Sequence, residues 1–566
     1  MLDCRIKQTS IIRCMDNDMV MDKRKRNTEV IIAILTIVKF ALPVVLSIRS
    51  VYLLHNPSYA ISVLIETFIV WVILNTIAER NRWLSFVIGF VVLPILYLQS
   101  AVLCFCGEYA GLIMITNIGS IEALKGKAII YGSIVIIIII ALFLPMRIIH
   151  FHNSKLLIST CIGLMGLYSV FVVLSGMIYS PFLNTAILAK NMINKYNTEI
   201  AIRALQDEEL RIDPEEFYRE SVGNGIDCPA EMSNNPNIIL IFTEGLSLNV
   251  VTDSREIMPN VLYYYEHGLS FSNYYDHTAA TYRGIIGQLY SSHQYNNTDT
   301  NSLISLQEIL RNNGYTTTFI NPEPDQELFS DYLSELRFDN LTSGNISDHI
   351  LTDSEMYELM FETLEDGIAT ETPQFIVAYT FGTHVGNDSP GIVYGDGNSR
   401  VLNRFHYCDS VFGAFMNRLQ ESGYLKDTLV IFTTDHGSYT DDDYHLAFGD
   451  HVRFDSFCDT IPLFFYYEGI ESEVIDAEGR NSIDLAPTIL DYLDIDSPNY
   501  FLGGSLFEPS INNEYETVFL IPDSRIAVKT DEERLRYLTP EELISFYESL
   551  ERYFRLANDS QSRVYQ

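Results

Sequence analysis

Two short apolar runs each end in side chains that bind hard or borderline cations. Asn237-Ile238-Ile239-Leu240-Ile241-Phe242-Thr243 leads into Glu244-Gly245, and Thr428–Thr434 leads into Asp435-His436-Gly437. Two carboxylates and an imidazole suit Zn2+ or Mn2+. Glycine after each set lets the backbone turn sharply out of a strand. Taken alone, Asp-His-Gly reads as a turn. A third polar stretch, Asn273 to Gly284, runs into the helix-like Ile285–Tyr290 and carries Thr278 and Thr281. A threonine at a helix start is ordinarily a cap. Bound to a cation, its hydroxyl would become a nucleophile, and the helix N-terminus would stabilise a transferred anionic group.

The elements that would position these groups alternate. Apolar strand-like runs recur at Thr316–Ile320, Gln374–Thr380, Thr428–Thr433 and Ile461–Tyr467. Helical stretches intervene at Ser302–Asn313, Asp353–Glu365, Asn403–Ser422 and Ser482–Leu493. This alternation predicts an α/β sandwich around a mostly parallel sheet, with the site beyond the carboxyl ends of its strands. Thr517–Leu520 and Arg525–Lys529 read as further strands. Thr539-Pro540-Glu541-Glu542 reads as a capping box opening a last helix.

The first third of the chain is different in kind. Five apolar runs, at about 30–48, 60–78, 83–106, 128–146 and 156–180, approach the ~20 residues needed to cross a bilayer. They predict a five-helix transmembrane domain over 1–180. A helical connector is expected over 181–232, its Leu183–Leu205 part amphipathic, and a soluble domain over 233–566. Basic residues cluster in the N-terminal tail (Arg5, Lys7, Arg13, Lys23 to Arg26), after the second run (Arg80, Arg82) and after the fourth (Arg147, Lys155). The positive-inside rule puts those segments in the cytoplasm and the soluble domain on the extracytoplasmic side of the cell membrane, with Lys125 and Lys127 as exceptions. Lys39 and Glu66 fall inside spans, where they are expected to snorkel or face other helices.

Residues 1–180 hold 15 Lys/Arg against 9 Asp/Glu, while the whole 566-residue chain has a net charge of −36. The acidic balance excludes a nucleic-acid binder that works by neutralising phosphates. Eight cysteines are too sparse for a disulfide scaffold, and spacing does not decide whether any of Cys228, Cys408 and Cys458 pair.

A resemblance covers roughly 230–500. It rests on Asn237–Glu244, Met258-Pro259-Asn260, Gly268 to Tyr275, Thr281, Thr383-His384, Tyr407–Ser410, Thr434–Gly437, Ile461 to Phe465 and Ser482 to Thr488, in that order. These resemble the alkaline-phosphatase/sulfatase superfamily, in the membrane branch that contains lipoteichoic acid synthase and the phosphoethanolamine transferases. The resemblance implies that Glu244, Thr281, Asp435 and His436 hold one divalent metal, Mn2+ or Zn2+, and that Thr281 rather than Thr278 is the nucleophile. His384 would contact the transferred phosphate or protonate the leaving oxygen. Apart from the resemblance, Arg283 is a candidate for a bidentate phosphate contact; His277, His445 and His451 could serve as additional ligands, but surface or hydrogen-bonding roles are the expectation for each.

The resemblance further implies a membrane-anchored transferase. It would move a phosphoglycerol or phosphoethanolamine head group from a phospholipid to a cell-envelope glycan or lipid-linked acceptor, through a phospho-threonine. Sulfatases carry a C/S-x-P-x-R motif, whereas Thr281-Tyr282-Arg283 stands here. Sulfate-ester or phosphodiester hydrolysis on the same fold is the rival expectation.

Overall fold

The computed structural model describes residues 2–54, 56–116, 128–150, 154–174, 179–207, 214–229, 232, 235–295, 303–449, 451, 453–455, 457–511, 513–531 and 534–558. The chain divides into two compact units, 1–193 and 194–566, with the boundary inside a helix that runs Pro181–Asp207.

In the first unit α1 (Leu2–Leu53), α2 (Ser58–Arg80) and α3 (Arg82–Cys106) contain the three stretches long and apolar enough to span a membrane: Arg26–Tyr52, Ser58–Arg80 and Arg82–Cys106. They pack through Val70, Leu74, Leu93, Leu96 and Tyr97. Five spans were expected, so among the described residues the number is corrected to three. The fourth run forms α4 (Ala128–Phe143), 16 residues long and so about 24 Å, against a hydrocarbon core of about 30 Å. Pro145 stands just beyond its end, where it disfavours helix in the preceding residue. The fifth run forms α5 (Ser154–Leu174), whose described apolar part is only Ile162–Leu174. Residues 175–178 of that run lie outside the described residues.

Lys39 and Glu66, the two charged residues singled out inside spans, are both partnered. Lys39 Nζ donates to the carbonyls of Leu142 and Leu144, each at 2.9 Å, and so satisfies the exposed C-terminal end of α4. Glu66 accepts from Tyr168 at 2.7 Å and from the Ser180 hydroxyl.

Among the described residues the second unit has eleven strands. β1 (Asn237–Thr243), β2 (Leu269–Ser272), β3 (Thr316–Ile320), β4 (Asn340–Thr342), β5 (Gln374–Thr380), β6 (Thr428–Thr434), β7 (Phe464–Tyr466) and β8 (Glu473–Asp476) form one sheet, ordered β4-β3-β5-β1-β6-β7-β2-β8. The five strands from β4 to β6 run parallel, and β7 is antiparallel to both its neighbours. The expected run at 461–467 yields only the three residues of β7, since Pro462 has no N–H to give to a ladder.

Alternation along the strands sends successive side chains to opposite faces. Ile238, Leu240 and Phe242 enter one core with Phe375, Val377 and Tyr379, while Ile239 and Ile241 enter the other with Ile376 and Ala378. Burial on both faces is why these strands read as continuous apolar runs. A small sheet, β9 (Val518–Ile521), β10 (Ile526–Lys529) and β11 (Arg536–Tyr537), packs with the last helix, Pro540–Asn558. That helix opens on the expected capping box: Thr539 N donates to Glu542 at 2.8 Å and Glu542 N to Thr539 Oγ1 at 3.3 Å.

The register of the parallel strands fixes the site. Thr243 of β1 pairs with Thr380 of β5 on one side and Thr434 of β6 on the other. The three strands therefore finish level, and the residues that follow them leave one edge of the sheet together.

Candidate active site

Glu244 follows β1, and Asp435 and His436 follow β6; all three are buried. Their ligand atoms lie within 4.8 Å of one another. His436 Nε2 stands 3.5 Å from Glu244 Oε1 and 3.5 Å from Asp435 Oδ2. Local hydrogen bonds aim these atoms. Asp435 Oδ1 accepts from the backbone N–H of Gly245 at 2.9 Å and of His436 at 2.8 Å. His436 Nδ1 lies 2.7 Å from the carbonyl of Gly437, a contact that requires its proton and leaves Nε2 with a lone pair. Asp435 Oδ2 and His436 Nε2 are then left buried with no hydrogen-bond partner. Gly245 takes φ +50° in this turn, in the left-handed region that glycine tolerates best.

Orphaned acceptors at the focus of two carboxylates are expensive unless something positive sits between them. Ligands at about 2.1 Å around a tetrahedral cation stand about 3.4 Å apart, and the two 3.5 Å separations match that spacing. The contact from His436 Nδ1 to a backbone carbonyl is the outer support usual for a metal-binding imidazole. The residues present fit one divalent cation, held by Glu244 Oε1, Asp435 Oδ2 and His436 Nε2.

Electrostatics agree with the geometry. Burial pushes Asp435 up to about 7, and the charge of Glu244 adds to the rise. Burial also works to raise Glu244, but His436, His384 and hydrogen bonds from Tyr379 and Thr281 hold it below the usual carboxylate range. His436 is raised: burial opposes this, and the charges of Asp435 and Glu244 outweigh it. Without a cation the cluster holds protons in its place.

Thr281 is the first residue of α6 (Thr281–Tyr290), numbering only α1–α5 before it. Its hydroxyl donates to Glu244 Oε2 at 3.0 Å. The first N–H groups of the helix have no intrahelical acceptor and present a site for an anion beside that hydroxyl. Ala280, immediately before, is held at φ +94°, a conformation that costs an L-residue energy and persists only where its surroundings impose it. Glycine lets the helix approach: a Cβ at Gly284 would lie 2.1 Å from the Asp435 carbonyl oxygen, and one at Gly287 would lie 2.0 Å from His277 Nε2.

Other residues singled out from the sequence lie elsewhere. Thr278 is buried and donates to the Leu520 carbonyl at 2.8 Å, which commits its hydroxyl to the fold. Arg283 was expected at the phosphate. Its guanidinium instead donates to the Ala279 carbonyl at 2.7 Å and pairs with Asp523 at 2.9 Å. Two residues beyond Thr281 on a helix is about 200° around the axis, so the two side chains leave opposite faces. His277 contacts Ser482 Oγ at 2.6 Å, and His451 lies 3.1 Å from Asp459; neither joins the cluster. His445 also stands outside it. His384 follows β5, with Nδ1 3.0 Å from the Val385 carbonyl and its ring stacked on Phe381 at 4.6 Å. It is close enough to Glu244 to influence that carboxyl. Cys228, Cys408 and Cys458 are free.

Three further residues act on the cluster. Tyr379, inside β5, donates its hydroxyl to Glu244 Oε2. Thr383 Oγ1 donates to the Glu244 carbonyl at 2.5 Å. Glu323, following β3, is pushed up to about 7 by burial and then by the charges of Glu244 and Asp325. Nothing in a strand's alternation separates Tyr379 from an ordinary core tyrosine, whereas Glu323 stands after a strand and was open to the rule that singled out Glu244.

Residues 236–495 match the family model described as Sulfatase. The chain is 23% identical over 305 residues to lipoteichoic acid synthase 2 of Bacillus subtilis (strain 168), covering 48% of this chain and 46% of that protein. It is 29% identical over 115 residues to an N-acetylglucosamine-6-O-sulfatase of Bacteroides thetaiotaomicron, covering 19% of each. These matches span less than half the length of either relative. Among solved structures, an alkaline phosphatase superfamily protein from Vibrio parahaemolyticus aligns with a TM-score of 0.48 at 18% identity, over 63% of this chain and 96% of the other. The part of the chain that carries the level strand ends and the carboxylate–imidazole cluster, residues 236–495, is thus the part that is similar to the sulfatase family.

Proposed function

We propose that this is a membrane-anchored, metal-dependent phosphotransferase that moves a phosphoglycerol or phosphoethanolamine head group from a phospholipid to a cell-envelope glycan or lipid-linked acceptor. One observation carries the reading: the Thr281 hydroxyl lies 3.0 Å from Glu244 Oε2, at a helix N-terminus beside the cluster. The similarity to a lipoteichoic acid synthase supports transfer from a lipid. The absence of C/S-x-P-x-R from the sequence disfavours a sulfatase nucleophile. Mn2+ or Zn2+ held by Glu244, Asp435, His436 and Thr281 would supply Lewis acidity and lower the pKa of the hydroxyl.

Thr281 Oγ1 attacks phosphorus, and its proton passes to the nearest acceptor, Glu244 Oε2. A P–O bond to Thr281 forms as the P–O bond to diacylglycerol breaks. His384 gives a proton to the departing oxygen. The N–H groups at the start of α6 stabilise the phosphoryl oxygens. An acceptor hydroxyl then gives its proton to His384 and attacks phosphorus; the P–O bond to Thr281 breaks, and Thr281 regains the proton held on Glu244. Anchoring in the membrane would raise the effective concentration of a lipid donor. An odd number of spans, whether three or five, would put the soluble unit across the membrane from the N-terminus, and the basic N-terminal tail supports an extracytoplasmic reading.

The experiment is product analysis with phospholipid labelled in its head group, using the full chain in detergent with Mn2+. Label on an envelope glycan is the expected result. Label released only as free head-group phosphate would replace transfer with hydrolysis, the reading that the sulfatase relative favours.

A further inference from the structure

Beside the cluster is a small pocket lined by Glu244, Thr383, Arg404, Tyr439 and Tyr444, among others. Arg404 lies on the helix Arg400–Ser422, and no part of the proposed reaction uses it. It is 2% exposed, and its Nε has no hydrogen-bond partner. A buried guanidinium is ordinarily saturated. Arg453 differs in being matched by charge: its Nε also makes no hydrogen bond of good geometry, yet it sits 2.7 Å from the Asp459 carboxylate, and the same guanidinium donates to Ser247 and to the Tyr444 hydroxyl, each at 2.9 Å. Arg480 likewise pairs with Asp484 at 2.7 Å and donates to three backbone carbonyls.

Arg404 has no such set. Asp441, Asp443 and Asp388 act on it only through their fields, and none forms an ion pair with it among the described residues. Leaving a guanidinium donor dry and unmatched is costly, so the arrangement makes sense when a ligand completes it.

We propose that this pocket is an anion subsite built on Arg404, taking a phosphate group of the substrate other than the one transferred. This rests on the reading of the chain as a phosphotransferase. The guanidinium fork suits two oxygens of a phosphate. Glu244 belongs both to this wall and to the cation cluster, so an anion here stands next to the reacting centre. Tyr439 links the two: its ring lies 4.8 Å from that of His436, and it lines the pocket. The substrate class that fits is one with two anionic groups in series, such as a phosphodiester-bearing acceptor or a diphosphorylated lipid.

The test is calorimetric titration of inorganic phosphate into the full chain in neutral detergent after metal removal. It reads binding without turnover, so a failed transferase assay and a failed subsite are separate results. Wild type should bind phosphate. Arg404→Gln should weaken binding by on the order of tenfold to a hundredfold, the usual worth of hydrogen bonds to a charged group. Arg404→Lys should recover part of the loss. Thermal unfolding and Mn2+ titration of each variant establish that the fold and cluster survive. No phosphate binding by wild type, or equal binding by a folded Arg404→Gln, overturns the proposal. Glycerol 1-phosphate in solution and phosphatidylglycerol in nanodiscs then locate the source. Dependence on Arg404 for the soluble ester assigns the subsite to the acceptor, and dependence only for the lipid assigns it to the donor.

Discussion

Thr281 and Glu244 meet across 3.0 Å, hydroxyl to carboxylate, although one begins a helix and the other follows a strand. The pairing depends on how closely α6 approaches the end of β6. Gly284 controls that approach, because a Cβ there would sit 2.1 Å from the Asp435 carbonyl oxygen. Gly284→Ala must push the helix outward. Overpacking of this kind costs about 1–3 kcal/mol. Activity is expected to fall much further than stability, since a displacement of about 1 Å at a reacting group can cost a hundredfold. Paired thermal unfolding and turnover measurements check this, and equal activity would show that the approach does not matter.

Glu244→Gln, Asp435→Asn and His436→Ala should each abolish stoichiometric binding of Mn2+ or Zn2+, measured by calorimetry on metal-stripped protein. In wild type, metal at a hundred times its Kd should stabilise the protein by about 2.7 kcal/mol, seen as a rise in Tm that chelator reverses. Thr281→Ala removes the fourth expected contact and should weaken binding without abolishing it.

Metal affinity should fall as pH falls. In the metal-free cluster Asp435 is raised to about 7, and His436 is raised as well. Both must lose protons before they can act as ligands. Affinity is therefore highest above pH 7 and drops by about tenfold per unit below it for each proton displaced. Affinity that stays flat between pH 5 and pH 8 would remove these groups from the site.

Away from the cluster, Asp353 begins the helix Asp353–Ala369 and is raised to about 6 by burial, although it accepts from Gly382 N at 2.8 Å. A carboxyl raised on folding stabilises the native state fully below its unfolded value, near 4. That stability is lost as pH rises through about 6. Asp353→Asn should therefore leave stability at pH 4 nearly unchanged and increase it at pH 7.5 by on the order of 1–3 kcal/mol. Denaturant titrations at the two pH values decide the point.

Much of this arrangement was legible in the residues. β1 and β6 are buried on both faces, so they stand out as apolar runs, and the polar residues after them are conspicuous. Thr281 was less visible, because a threonine before a helix resembles any cap, and only the superfamily resemblance singled it out. Arg283 was singled out from its nearness in sequence to Thr281, a criterion that takes no account of the 200° turn of the helix between them. Tyr379 and Arg404 are invisible to pattern reading: both occupy ordinary core positions, and their roles depend on neighbours that are distant along the chain. In the membrane unit, hydropathy marked the runs at 128–146 and 156–180 but could not tell where their helices stop.

The central claim is that Thr281 carries the transferred group. Peptide mass spectrometry of the full chain, incubated with Mn2+ and a defined phospholipid and then acid-quenched, tests it most directly. A phosphoglycerol or phosphoethanolamine adduct on Thr281 is expected, absent from Thr281→Ala and from chelator-treated protein. Continued turnover by Thr281→Ala, or an adduct on another residue, would contradict it.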